Sequence, residues 1–421
     1  MSSSPADLGT SEGVLDAYIA HSWRSNALRQ REKGLDFVIG RRGGPYIWNL
    51  EGTQRLLDCG TGGGVHSLGH RHPEVLEALR DALEERDTGL WSIPNREYLF
   101  LQENLAELSP TPRLTQSVIT LSSTASVDLA AMCAFRMTGR SKILAYRHGY
   151  HGHAGFAAVI TGSLEEGIIE HYKLPTTHSS FFERYGDVRE MEEYLTSDVA
   201  AVILELMDYE TFAPANVEFI DAISDLCRKK GVLLIIDETR TGLGRTGRLW
   251  ASEHYSFEAD MMIVGKGLSG GLYPVSALQM REQIYERCIN EHRFSYISSL
   301  GGNEISCIVG LKVLEIVSRP DFLSNVCSVA HELKKHLSTV CSKRHNLISP
   351  GESLGCIATV HVPDAATARA LYRAMIQNGV LCHSVSEIEP VALKFFPPLI
   401  IDTDHVQEIA RALDKSVQSI G

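Results

Sequence analysis

Along this chain, short runs in which almost every side chain is apolar alternate with longer stretches whose apolar residues recur every three or four positions. The runs Val118 to Leu121, Lys142 to Tyr146, Val199 to Leu206, Val232 to Ile236 and Met261 to Val264 have no polar face, which predicts strands covered on both sides, as in a parallel sheet. Between them, Phe219 to Lys230 places Ile220, Ile223 and Cys227 at helical spacing and ends in Arg228-Lys229-Lys230 before Gly231, a helix stop. The order is therefore βαβ. After Gly302 the pattern changes to helices, Ile305 to Val317 and Phe322 to Ser342, and then to strands around Cys356 to Val362 and Leu393 to Phe396. That change predicts a second, smaller α+β unit. There is no internal repeat and no low-complexity linker.

Composition narrows the classes. The 421 residues are 44% hydrophobic and 22% charged, an ordinary balance for a globular protein with a sizeable core. A net charge of −12 repels a phosphate backbone, so nucleic acid is not an expected partner, whereas a cationic substrate is mildly favoured. Nine cysteines without a C-x-x-C pair indicate neither a disulfide framework nor a zinc ribbon, and a reducing cytoplasm fits them. The start, MSSSPADLGTSEG, has no basic or apolar stretch, and no window approaches a membrane span, so neither export nor membrane insertion is expected. The first dozen residues read as a loose tail.

Chemistry is suggested at strand ends. Leu233 to Ile236 runs into Asp237 and Glu238, at the carboxyl end of a strand, where open α/β sheets bind ligands. Met261 to Val264 runs into Gly265-Lys266-Gly267, a lysine beside a low-dielectric interior that favours its neutral, nucleophilic amine. Taken singly, Asp237 also reads as a turn cap and Lys266 as a solvated turn residue. Taken together, a Schiff-base lysine and a carboxylate that keeps a pyridine nitrogen protonated are what pyridoxal phosphate requires. A phosphate cradle is available at Ser122-Ser123-Thr124, where a strand leads into a helical stretch reaching about Phe135. Gly60 to Gly64 lacks the spacing of a dinucleotide loop. The histidines at 66, 70, 72, 148, 151 and 153 lack metal-ligand spacing, so no metal is expected.

These residues resemble the class III pyridoxal-phosphate aminotransferases of fold type I, the group with ornithine, GABA and glutamate-1-semialdehyde enzymes. The resemblance runs from about Gly43 to Leu399 through Gly52 to Asp58, Leu68-Gly69-His70-Arg71-His72-Pro73, His148-Gly149-Tyr150-His151-Gly152, Asp237 to Gly247, Gly265-Lys266-Gly267-Leu268, Tyr273-Pro274 and Gly301-Gly302-Asn303. It implies an α/β fold with a large domain, 61–310, whose mostly parallel sheet is flanked by helices. A smaller α+β domain would be built from residues 1–60 and 311–421.

It also implies that Lys266 carries the cofactor and moves the proton, that Asp237 pairs with the pyridine nitrogen, and that Tyr150 and Thr239 cover the two ring faces. Ser123 and Thr124 match the phosphate turn, and Ser299 matches a residue reaching the phosphate held by the other subunit of a homodimer. Glu205 and Glu210 fall where the family keeps acidic groups by cofactor or substrate, and Trp91 falls at the substrate mouth, where a packed tryptophan is the competing reading.

The chain also departs from the family. Ala125 replaces a glutamate of the phosphate turn. Arg240 replaces a glutamine near the cofactor's phenolic oxygen. Lys394 replaces the arginine that grips α-carboxylates, whose planar fork a lysine does not reproduce. With Asp208 and Glu210 facing a cationic amine, the resemblance then implies amino transfer between an amine donor and a carbonyl acceptor. The polar substrate would be of the amino-sugar kind found in aminoglycoside antibiotic pathways. Epimerisation or elimination on the same lysine-bound cofactor is the alternative. A non-catalytic regulator would need a basic DNA-binding unit that the chain lacks.

Overall fold

The computed structural model describes the chain apart from residues 1–7, 90–92, 163–168, 170–171, 184–185, 187, 292–295 and 387–388. The described residues fall into two compact units, one made of Pro73–Leu323 and the other of Met1–His72 together with Ser324–Gly421.

Three N-terminal strands, β1 (Ile39–Gly43), β2 (Tyr46–Asn49) and β3 (Arg55–Cys59), form an antiparallel ladder. In the middle of the chain come β4 (Gln116–Thr120), β5 (Lys142–Tyr146), β6 (Ser179–Phe182), β7 (Val199–Leu204), β8 (Leu233–Asp237), β9 (Met261–Val264) and β10 (Ser276–Met280). They make one seven-stranded sheet in the order β4-β10-β9-β8-β7-β5-β6. All run parallel except β10, which pairs antiparallel with both β4 and β9. The five apolar runs named above are thus β4, β5, β7, β8 and β9, and β7 to β9 are buried at every position because helices cover both faces. Val127, Ala130, Ala134, Ile143, Ile203 and Ile235 pack one face, and Leu144, Val202, Phe219, Ile223 and Leu234 the other.

Strand β10 has no apolar-run signature, because Ser276 and Gln279 lie within it; both are buried and hydrogen-bonded, Gln279 Nε2 donating to Leu105 O at 2.7 Å. The helices Val217–Lys230, Glu304–Val317 and Pro320–Lys343 match the expected stretches within a few residues, and Gly231 ends the first in a left-handed conformation, φ 63°. Of the first dozen residues, expected as a loose tail, 1–7 lie outside the described residues, and a helix starts at Ser11, with the Thr10 hydroxyl accepting from Gly13 N.

The second unit completes its sheets from distant segments. Strands β11 (Ser349–Ser353), β12 (Ala358–His361), β14 (Ser384–Ser386) and β15 (Ala392–Phe395) form an antiparallel sheet, while β13 (Val380–Cys382) pairs parallel with β3, Leu57 opposite Val380. This unit takes its strands from both parts of the chain, with its boundaries at His72 and Ser324 where the resemblance implies residues 60 and 311. All nine cysteines are free thiols, and no described helix is long and apolar enough to cross a membrane.

Candidate active site

Five parallel strands, β4, β5, β7, β8 and β9, end on the same edge of the sheet, and each delivers a candidate residue at or just beyond its last hydrogen-bonded position. β9 leads to Lys266, β8 ends in Asp237, β7 leads to Glu205, β5 to the segment 148–153, and β4 to the turn before the helix Ser123–Thr138. Topology alone brings together residues spread over more than 140 positions of sequence.

Lys266 sits at φ 42°, a left-handed conformation that L-residues adopt only when their surroundings hold them there. Burial, reinforced by the Arg240 guanidinium and opposed by Glu205 and Asp237, lowers its pKa to about 8. The preceding Gly265 packs against two serine hydroxyls: with these in place, a Cβ there would overlap Ser123 Oγ and come within 2.7 Å of Ser276 Oγ. This contact seats the start of the helix Ser123–Thr138 against the lysine segment. Ser122 Oγ caps that helix by accepting from Ala125 N at 3.2 Å, leaving the helix N-terminus beside Ser123 and Thr124 suited to an anion.

Asp237 is fully buried and bonded to His151, Oδ2 to Nδ1 at 2.8 Å, while Oδ1 accepts from Thr239 N at 3.0 Å. Burial pushes the carboxyl up, but His151 and the Thr239 donors outweigh it and hold the group below the usual carboxylate range. The neighbouring Glu238 works on the loop instead, its oxygens accepting from Thr241, Ala251 and Ser252 and so tying the 238–252 segment to the strand end.

Tyr150, Glu205, Tyr209 and Arg240 form a closed circuit. Arg240 Nε donates to Glu205 Oε1 at 2.8 Å, and Glu205 Oε2 accepts from Tyr150 N at 2.8 Å. Tyr150 stacks on Tyr209 with ring centroids 5.1 Å apart and planes 18° from parallel, and the Arg240 guanidinium lies 4.6 Å from the Tyr209 ring centre. Lys266 Nζ is 5.7 Å from the Tyr150 ring centre. Burial, with Tyr209 and Glu205 adding negative potential, pushes the Tyr150 phenol up to about 12, so it stays neutral. Among the described residues, buried Arg240 Nη1 has no hydrogen-bond partner, and neither has His151 Nε2.

The remaining sequence-predicted residues are distributed differently. Ser299 is exposed and lines a cavity of about 430 Å³ with Arg86, Asn95 and Gly302. Lys394 lies on β15, buried in the other unit, opposite Thr359 and Ser384. Trp91 lies outside the described residues. Asp208 does not face an open site: its carboxylate accepts from Tyr146 Oη, Glu210 N and Thr211 N, which makes it the organiser of a turn, with Glu210 part of that turn.

Two participants escape a reading of the sequence. His151 is visible only within the Tyr150-His151-Gly152 motif, and its partner lies 86 residues away. Tyr209 carries no local signal at all. Of the other histidines, His70 Nε2 bonds Asp58 Oδ2 at 2.9 Å and packs on His66 with ring centroids 4.2 Å apart.

A half-buried lysine amine of lowered pKa, a buried carboxylate bonded to a histidine, an anion-binding helix start and the orphaned Arg240 Nη1–H together fit pyridoxal phosphate. The architecture is that of the fold type I pyridoxal-phosphate enzymes. The chain belongs to the class-III aminotransferases, whose family pattern it matches over residues 28–417, and like them it is a pyridoxal-phosphate-dependent aminotransferase. It is 34% identical over 413 residues to an uncharacterized aminotransferase of Archaeoglobus fulgidus, covering 96% of this chain and 95% of that one. It is 30% identical to a [LysW]-aminoadipate semialdehyde/glutamate semialdehyde transaminase of Sulfurisphaera tokodaii, covering 92% and 95%. Among solved structures, ornithine aminotransferase from Toxoplasma gondii superposes with a TM-score of 0.88 at 22% identity, covering 99% of this chain and 96% of that one.

Proposed function

We propose that this aminotransferase moves an amino group onto or off a primary carbon of a polar substrate of the amino-sugar kind, working as a homodimer. The observation that carries the chemistry is the half-buried Lys266 at the end of β9, its amine lowered to a pKa of about 8, within reach of the Asp237–His151 pair's field. When bound, pyridoxal phosphate supplies an aldehyde that condenses with amines and a ring that accepts the electron pair left by a departing proton. Lys266 Nζ would hold the cofactor's aldehyde group, and as the neutral amine it is the base placed to take a proton from the substrate carbon and to give one up elsewhere. Asp237, bonded to His151, would pair with the pyridine nitrogen. Ser123, Thr124 and the helix start they occupy would take the phosphate. Tyr150 and Thr239 would enclose the ring, and Arg240 Nη1 has an unpaired N–H to offer an anionic oxygen.

Reaction at a primary carbon is supported by the semialdehydes in the relatives' names. The amino-sugar reading rests on Lys394, which stands in place of the arginine fork that α-carboxylates require, and on the net charge of −12, which favours cationic substrates. The dimer reading is supported by Ile93, Leu99, Ile297 and Leu300, which expose 61, 51, 41 and 48% of their surface around Ser299. An apolar patch of this kind marks an interface.

The test is to reconstitute the enzyme with pyridoxal phosphate and add amino sugars, ornithine, acetylornithine or glutamate, one at a time, without a carbonyl acceptor. Stoichiometric conversion of the cofactor to its aminated form by an amino sugar supports the proposal. Conversion by ornithine or acetylornithine alone replaces the substrate class. A persistent starting spectrum with solvent deuterium entering the substrate replaces transamination by epimerisation or elimination.

A further inference from the structure

Tyr150, His151 and Gly152 follow one another in a segment that belongs to no strand or helix, so their backbone N–H groups have no ladder to join. Side chains take its place. Glu205 Oε2 accepts from Tyr150 N, and Thr161 Oγ1 accepts from both His151 N at 2.8 Å and Gly152 N at 3.1 Å. The Thr161 hydroxyl lies 2.8 Å from Ala157 O and 3.0 Å from Gly152 O, so its proton goes to one of these carbonyls. One donor and two acceptor sites are all a hydroxyl has. This one is fully used, and Thr161 is 1% exposed.

A threonine ending a short helix often bonds the carbonyl four residues back, and the contact to Ala157 O is of that ordinary kind. Accepting from two consecutive amides nine and ten residues earlier is not, and it fixes the place of three residues at once. Tyr150 is the next residue along. His151 is held with Nδ1 on Asp237. Gly152, at φ 139°, is pressed so closely on the phosphate turn that a Cβ would come within 2.5 Å of Thr124 Oγ1.

We propose that Thr161 is a positioning residue for cofactor binding. Its one hydroxyl sets the 150–152 segment between the phosphate turn and Asp237, so that its loss disengages His151 from Asp237 and loosens Tyr150 beside it, although Thr161 itself touches neither ring nor phosphate. The inference rests on the pyridoxal-phosphate site described above.

The test compares Thr161→Val, which removes the hydroxyl at nearly constant volume, with Thr161→Ser, which keeps it. Ser416→Ala is the control, a buried hydroxyl of the other unit that accepts from Asn378 Nδ2. Three quantities are read: pyridoxal-phosphate affinity by fluorescence quenching, the pH titration of the bound cofactor's absorption, and thermal midpoint. Thr161→Val is expected to weaken affinity roughly tenfold and displace the titration, with Thr161→Ser within about twofold of the parent. Ser416→Ala lowers the midpoint alone. Wild-type affinity and titration in Thr161→Val, or the same changes in Ser416→Ala, overturn the proposal.

Should Thr161→Val not fold, amide hydrogen exchange of the unsubstituted protein without cofactor decides. His151 and Gly152 are expected to be protected like Ile235 and Ile236 of β8, and exchange at unprotected rates refutes the latch. If the parent protein fails to bind pyridoxal phosphate, the cofactor reading falls while the exchange result still judges Thr161.

Discussion

At Lys266 both backbone and side chain are held away from their resting preferences, with φ at 42° and the amine lowered from the usual 10.5 to about 8. A lowered lysine pKa means that the neutral form appears at lower pH. At pH 8 about half of Lys266 is the free base, against roughly 0.3% for an ordinary lysine. The cofactor-free protein should therefore capture pyridoxal phosphate at a rate that climbs with pH through a midpoint near 8 and then levels, measured by stopped-flow absorbance between about pH 6 and 10. A rate still climbing steeply at the alkaline end would show an unperturbed lysine. Lys266 and Asp237 are legible in the sequence because each terminates an apolar run, so the residue and its placement arrive together. His151, Tyr209 and Thr161 are not, because their roles exist only through partners reached by folding: His151 bonds across 86 positions, and Tyr209 stacks on a ring 59 positions earlier.

Among the elements, the parallel strands declare themselves because burial on both faces leaves nothing but apolar side chains in them. β10 does not, for the opposite reason: its polar Ser276 and Gln279 find buried partners that no local pattern announces. The junction between β9 and the helix Ser123–Thr138 is tight enough to test. Gly265→Ala would drive a methyl into Ser123 Oγ and against Ser276 Oγ, so both hydroxyls must rotate away and Ser123 leaves its place in the phosphate turn. Overpacking of this kind costs about 1–3 kcal/mol. We expect a folded protein with a lower thermal midpoint and weaker cofactor retention on dialysis, whereas full retention would show that the turn does not depend on this contact.

For the molecule as a whole, the exposed apolar face around Leu99 and Ile297 is where a second copy is expected to sit. Leu99→Glu places a charge on that face and should halve the mass seen by sedimentation while leaving the circular dichroism spectrum unchanged. Because Ser299 lies on the same face, the separated protomers should also retain pyridoxal phosphate less well. An unchanged mass would move the interface elsewhere. The change of pattern after Gly302 does not mark the boundary between the units, because the helix Glu304–Val317 belongs with the parallel sheet and the division falls at Leu323. The pairing of β3 with β13 is not legible either, because a parallel partner more than three hundred residues away leaves no mark on either strand.

That pairing has a consequence during synthesis. On the ribosome, Cys59 emerges long before Cys382, and at roughly 5–20 residues per second the interval is about 15–65 s. Throughout it the edge of β3, with Leu56 and Leu57 destined for full burial, has no partner to close against. The contiguous segment Pro73–Leu323 holds everything its own sheet needs and can complete it first. The nascent chain thus carries an open strand edge ahead of a finished domain, and that edge is where a chaperone has most to protect.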